Sequence, residues 1–367
     1  MDIMVLNQKF EMIHLVDAYK SMIWTERFNQ AGDFEIYTEL SGETLKYVTK
    51  DSYLSIKDSD RTMIVSDISI TSDRETGNFI KITGNSLESI LSRRIIWGMK
   101  SLNTNLQNGI KTLLNECIIS PSDSKRKIPN FLFQDSSDSK LKDIKIEKQY
   151  TGDNLYSIIV DLCATNDIGF KLLLNNSNQF VFSLYSGVDR SYENTTNPYV
   201  IFSPSFENLV NSNYYDTNAD LKTVALIGGE DEGDKRKYVT YSASSETGIN
   251  RRELFVDARD IQSEYYDENN EEHVMTDAEY KAALTERGKE KMVDYKAVTA
   301  FEGEVDYLNS FIYKKDYYLG DIVQIENEYG LGGKARITEV VTAHDEGGYS
   351  VYPTFELIDE TDKEGGN

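Results

Sequence analysis

Ile23-Trp24-Thr25-Glu26-Arg27-Phe28-Asn29-Gln30-Ala31-Gly32-Asp33-Phe34-Glu35-Ile36 is the stretch on which the reading of this chain turns. It reads as two strands joined by a Gln30-Ala31-Gly32-Asp33 turn, with Gly32 expected to supply a positive φ. Alternation resumes after the turn, which puts Phe34 and Ile36 on one face. Arg27 lies close enough in sequence to Trp24 to be expected over the indole ring, a cation–π contact worth roughly 0.5–1 kcal/mol at an exposed site. Nothing in the stretch is arranged for catalysis.

Working outward, the strand pattern fills the chain from Met4 to about Thr83. Tyr53-Leu-Ser-Ile56, Met63 to Ile70 and Phe79 to Thr83 alternate apolar and polar residues, and Asp73 to Asn78 reads as a hairpin turn. The expectation is a small antiparallel barrel or half-barrel. A helix should follow, with Asn85 as its cap, Glu88 in the reciprocal capping-box position, and Leu87, Ile90, Leu91 and Ile95 as its apolar stripe.

The region from about 98 to 200 is mixed. Thr104 is expected to cap a helix carrying Leu106, Ile110, Leu113 and Leu114, with a polar loop from Ser120 to Lys127 after it. Asp153 is expected to cap a second helix carrying Leu155, Ile158, Ile159 and Leu162. Phe170 to Leu174 and Gln179 to Tyr185 form a hairpin in this reading. Strands return near Phe206, where the Val210 to Asp216 and Thr223 to Gly229 segments are expected to pair. The charged stretch Glu230 to Lys237 then reads as a loop, and Glu264 to Glu272 as too polar for anything else. Thr276 with Glu279 is a strong capping box that opens a helix to about Tyr295. From 297 to 358 the pattern is again β, with Tyr349, Val351, Pro353, Phe355 and Leu357 on one face of the last strand. Pro353 favours an edge position there, because it cannot donate to a ladder.

Composition bounds the function. The chain has 367 residues, enough for two or three domains, and only 39% of them are hydrophobic. Its 24 tyrosines and 15 phenylalanines add amphipathic area suited to interfaces between subunits. A formal charge of −23 opposes stable binding to nucleic acid, while leaving room for a channel that DNA passes without adhering. No apolar run is long enough to span a bilayer or act as a signal peptide, so no membrane insertion and assembly in the cytoplasm are expected. Cys117 and Cys163 sit in apolar helical patterns and read as buried thiols.

The search for chemistry is short. His14, His273 and His344 have no metal-ligand spacing to one another or to cysteine. Carboxylates are abundant, yet no pair stands out as the two a glycosidase needs. Glu230 to Asp234 and Asp267 to Glu272 lack the ligand spacing of a calcium loop. Gly228-Gly229 follows a strand as a phosphate loop would, but acidic residues come next and no lysine-serine or lysine-threonine pair completes it. No catalytic residue, metal or cofactor is therefore assigned. Arg251 and Arg252 lie beside Asp257-Ala-Arg-Asp260, a block suited to ion pairs within the chain or between subunits. Lys125-Arg-Lys127 is the concentrated positive run, expected to meet an acidic partner.

The opening hairpin is followed in order by Ile82-Thr-Gly-Asn-Ser-Leu-Glu-Ser-Ile-Leu91, Tyr150-Thr-Gly-Asp-Asn-Leu155, Asn250-Arg-Arg-Glu-Leu-Phe-Val-Asp-Ala-Arg-Asp260 and Leu319-Gly-Asp-Ile-Val323. Together they resemble the phage tail hub proteins of a siphovirus family related to the baseplate hubs of contractile tails. The resemblance implies a β-rich α+β fold of two small antiparallel β-barrel domains with an inserted α/β domain. The boundaries read as 1–97 for the first barrel, 98–205 for the insertion, 206–358 for the second barrel with a helical insertion near 276–295, and 359–367 for a flexible tail. It also implies a structural protein of the virion tail. Three copies would form a ring around a DNA channel and join a sixfold tail tube to a threefold spike or fibre. Expected partners are further copies of the chain, a tail-tube or distal-tail protein, and spike, fibre or other baseplate proteins. Trp24, Arg27, Gly32, Phe34, Arg251, Arg252, Asp257 and Asp260 are the candidate fold and interface residues. The competing readings are a tail-associated peptidoglycan hydrolase and a module that binds host-surface carbohydrate. A lytic domain would be expected at the C-terminus, and the chain ends soon after its last β meander.

Overall fold

The computed structural model describes residues 1–75, 77–266, 272–305 and 311–358. The Asp267 to Glu271 part of the acidic loop and the tail at 359–367 lie outside the described residues. The chain divides into two compact units, one formed by Met1–Ser89, Gly169–Tyr215 and Thr299–Asn367, the other by Ile90–Ile168 and Asp216–Val298. The hairpin of Gly169–Leu174 and Phe180–Tyr185 groups with the first unit, and the helix near 276–295 with the second.

The first unit is built on a largely antiparallel sheet of 13 strands. From one edge the order runs Leu209–Thr217, Val298–Val305, Gly348–Leu357, Gly332–Asp345, Ser21–Arg27, Asp33–Glu39, Gly77–Ser86, Met63–Asp73, Tyr53–Ile56, Ile3–Leu6 and Met12–Val16. Ile322–Glu326 pairs with Gly332–Asp345, and the two-residue Ile201–Phe202 strand lies parallel to it. Strand after strand buries every second side chain, as in Ile3 and Val5, Leu54 and Ile56, and Ile80 and Ile82. Two clusters result. One gathers Trp24, Phe34, Ile36, Met63 and Ile82, and the other Phe28, Phe202, Phe301, Ile337 and Phe355. Each fully buried side chain of this size contributes about 1.5–3 kcal/mol. The seam between N-terminal and C-terminal strands is the antiparallel pairing of Ser21–Arg27 with Gly332–Asp345, where Trp24 faces Thr342.

Several expectations change here. Asn85 lies in the Gly77–Ser86 strand and caps no helix; a 3-10 helix, Leu87–Arg93, follows instead. Leu87, Ile90 and Leu91 are buried, whereas Ile95 is exposed. Pro353 is not on an edge, since its strand lies between Val298–Val305 and Gly332–Asp345. The ladder to Val298–Val305 registers Glu302 with Thr354 and Val305 with Val351 and leaves out the positions between. An interior proline is accommodated because the sheet opens around it.

In the second unit the helices bury the expected stripes, with caps one residue later than expected. Asn105 caps Leu106–Leu114 by accepting from the Asn108 N–H, and Asn154 caps Leu155–Thr165 by accepting from Tyr156. Asp153 accepts from the Thr151 N–H instead. The first helix runs on into a π-helical turn, Asn115–Ile119. The Thr276 to Glu279 box forms in both directions and opens Asp277–Met292. Tyr280 and Leu284 of that helix pack with Ala225, Ile227 and Val256. Val224–Gly228 pairs antiparallel with Tyr238–Ser242 and parallel with Glu253–Asp257, so the expected partnership with the Val210 segment does not exist. The segment expected to be only loop carries a short ladder of Glu264–Tyr266 with Glu272–Val274.

Candidate functional site

The ring and thiol groups that would announce catalysis lie apart. His14 stacks on Tyr47 at 5.0 Å, His273 on Tyr265 at 5.3 Å, and His344 meets Tyr19 edge-on at 5.5 Å. Both cysteines are free and buried, and burial raises the pKa of each thiol. Among the described residues no group of three or more His, Cys, Asp or Glu side chains could hold a metal ion. None of the helices described is long and apolar enough to cross a membrane.

Gly228 and Gly229 do not form a phosphate cradle. Their carbonyls accept from the Arg236 guanidinium at 3.0 Å each, and the Gly229 N–H donates to the Lys237 carbonyl. A Cβ at Gly228 would run into that guanidinium, and one at Gly229 into the Tyr280 hydroxyl. Both glycines are there for close packing.

What the structure does concentrate is buried polar organisation at the motifs quoted above. Asp321, in the Leu319-Gly-Asp-Ile-Val323 stretch, is 1% exposed. Its Oδ1 accepts from the Val188 N–H at 2.8 Å, and its Oδ2 accepts from Arg190 Nε at 2.7 Å and the Tyr318 N–H at 3.0 Å. Gly320 has φ +91°, and a side chain there would overlap the Phe28 ring. Arg336 lies over the opposite partner of this packing, 5.1 Å from the Phe28 ring centroid, and donates to the Ser186 and Gly320 carbonyls. The motif is a junction where Phe28, at the end of the opening strand, meets chain from about 186 to 190 and from 318 to 336.

Glu88, expected to cap a helix, is fully buried, pairs with Arg61, and accepts from the Leu172 N–H at 2.9 Å. Beside it Glu26 accepts from Ser59 Oγ at 2.6 Å, Lys314 Nζ at 2.8 Å and the Tyr313 hydroxyl at 3.1 Å. Burial pulls the Arg61 pKa down, but Glu88 opposite it more than restores the charge and leaves it raised. Burial lowers the Lys171 pKa and raises those of Tyr185 and Tyr313. For Asp60, burial works against ionisation, but Lys314 and Arg61 outweigh it and hold the carboxyl below its ordinary range. This network, hidden in a sequence search for chemistry, ties strands from both ends of the chain together.

The opening hairpin itself is placed differently from its reading. Trp24 is 1% exposed and packs 5.9 Å from Phe34 in the core. Arg27 is three positions along the strand, hence on the other face, and does not cover the ring. It pairs with Glu339 and Asp33, both at 2.6 Å, and donates to the Ala31 carbonyl. Gly32 is needed for a close approach rather than a positive φ: a Cβ would overlap the Thr25 carbonyl oxygen. Its N–H donates to Ser86 Oγ at 2.8 Å, and its carbonyl accepts from the Ser86 N–H.

The second candidate block is split among separate partners. Arg251 pairs with Glu253, and Arg252 donates to the Asn218 carbonyl. Asp257 accepts from Arg236 and Arg259, whose hydrogen bonds hold its carboxyl low, while Asp260 receives two N–H groups from Arg287 at 3.0 and 2.9 Å. Among the described residues neither Arg251 nor Arg252 pairs with Asp257 or Asp260.

Exposed apolar side chains mark the surfaces left over. Met12, Ile13 and Leu15 lie on one terminal strand of the large sheet, and Val210 and Tyr215 on the other. Where the ladder opens at Pro353, a cleft of about 470 Å³ is lined by Asn211, Glu302, Gly303, Glu304 and Tyr352.

Comparison with known proteins agrees with this architecture. Among solved structures, a prophage tail protein from Listeria monocytogenes EGD-e superposes with a TM-score of 0.53 at 12% identity, covering 98% of this chain and 95% of that one. A tail protein from Neisseria meningitidis MC58 gives 0.55 at 11% identity, with 97% and 96% covered. The 43 kDa tail protein of prophage MuSo2 from Shewanella oneidensis gives 0.54 at 11% identity, with 97% and 98% covered. At such identities the likeness is one of fold. No curated protein matches the sequence. One family model spans residues 2–355, so the chain belongs to the family described as Siphovirus ReqiPepy6 Gp37-like protein.

Proposed function

We propose that this tail protein is a hub subunit, three copies of which form a ring that joins a sixfold tail tube to a threefold spike or fibre around a channel for DNA. The observation that carries the reading is the presence of two β cores in one unit, one around Trp24 and Ile82 and one around Phe202 and Phe355. Two comparable β modules per chain give a trimer six near-equivalent positions, which is what a symmetry adaptor needs. On this reading the N-terminal and C-terminal strand sets act as two barrels. The acidic surface favours passage of DNA over retention. Trp24, Gly32 and Phe34 serve the fold, while Arg27, Arg251, Arg252, Asp257 and Asp260 fix local geometry near the interfaces.

The test is electron microscopy of the purified chain, alone and with tail-tube protein. Threefold rings are expected. Monomers at micromolar concentration that also fail to bind tail-tube protein would overturn the proposal. Incubation with cell-wall sacculi should release no fragments, which separates the hub from a hydrolase.

A further inference from the structure

The positive run at 125–127 gains a second strand of chain in three dimensions. Arg94 Nε donates to the Arg126 carbonyl at 3.0 Å, and Arg126 Nη2 donates to the Ile95 carbonyl at 2.6 Å. This reciprocal pair locks the 93–97 segment to the 124–127 turn. Arg126 then lies 4.2 Å from the centroid of the Trp97 ring, which is 56% exposed, with Ile95 exposed beside it. Lys125 and Lys127 are exposed on the same turn. Among the described residues, no carboxylate forms an ion pair with Arg94, Lys125, Arg126 or Lys127. In a chain with 62 acidic and 39 basic residues, a cluster of cations left without carboxylate partners is a built feature.

We propose that the patch of Arg94, Ile95, Trp97, Lys125, Arg126 and Lys127 docks an acidic polypeptide segment that also carries an apolar side chain. The two lysines supply exposed positive charge, and the guanidinium-backed indole with Ile95 supplies a firm apolar platform. A polypeptide fits better than nucleic acid. Both guanidinium groups already donate to backbone carbonyls, which limits bidentate grip on phosphate. A net charge of −23 also repels a uniformly charged polymer far more than a short segment. The inference stands independently of the ring proposed above.

Fluorescence titration of the full chain tests it. The chain has two tryptophans, and Trp24 is buried, so a change on binding reports Trp97. A synthetic peptide of alternating Glu and Leu should shift the emission, and the same peptide with Gln for Glu should bind about tenfold more weakly or less. Lys125→Glu with Lys127→Glu should weaken the Glu peptide by a similar factor while leaving the thermal midpoint unchanged, since both side chains are exposed. Equal binding of the Glu and Gln peptides, no binding of either, or preference for a single-stranded oligothymidylate would each overturn the proposal.

Discussion

Asp321 shows at single-residue scale what the Leu319–Val323 stretch does for the fold. Three donors converge on one carboxylate with almost no solvent, so truncation strands two N–H groups and a guanidinium in the interior. Breaking a buried pair of this kind costs about 3–5 kcal/mol. Asp321→Ala is therefore expected to lower the urea midpoint of unfolding substantially, and Asp321→Asn, which keeps an acceptor, to lower it less. A second residue gives a pH signature. Hydrogen bonds from Lys237 and Lys281 hold the exposed Asp277 carboxyl at about 2, below its ordinary 3.8. A depressed folded-state pKa stabilises above the unfolded value, and the contribution disappears as pH falls through about 2. Thermal melts of the Asp277→Asn variant should thus lose less stability than wild type between those two values. An identical acid profile would refute the assignment.

Elements were the part most legible in sequence, because alternation and 3.6-residue stripes are local. The opening strands, the two apolar helices and the Thr276 box all follow from residues a few positions apart. Thr276→Ala should cost about 1 kcal/mol, read as a lower melting temperature. What could not be read depends on distant chain. Glu88 stands where a capping glutamate would, yet its partners are Arg61 and Leu172. Pro353 looked like an edge residue because nothing local reveals that the sheet parts around it. The misplaced Arg27 is different, since strand period alone puts it opposite Trp24. Glycine roles also shifted. At Gly84 an added Cβ would overlap the Ile64 carbonyl, so Gly84→Ala should destabilise the Met63–Asp73 and Gly77–Ser86 pairing, measured as faster amide exchange there.

At the scale of the whole molecule, charge becomes the controlling quantity. Copies carrying −23 each repel one another, and the repulsion is screened over about 10 Å at 0.1 M salt. Self-association of the chain should accordingly tighten as salt rises from about 0.01 to 0.15 M, as seen by sedimentation. The acidic-peptide contact at Trp97 should weaken over the same range, so the two effects can be told apart.

The seam between Ser21–Arg27 and Gly332–Asp345 has a consequence for biogenesis. Arg27 and Glu339 are 312 residues apart, so the opening strand keeps a bare edge until Gly332–Asp345 has been synthesised. Long-range pairings of this kind form slowly, and an unpaired apolar strand invites the wrong neighbour. A nascent chain arrested before residue 332 would hold an incomplete sheet, prone to aggregation and to chaperone capture. Only molecules translated through Gly348–Leu357 hold the full sheet, and the fold thereby reports on its own synthesis up to that strand.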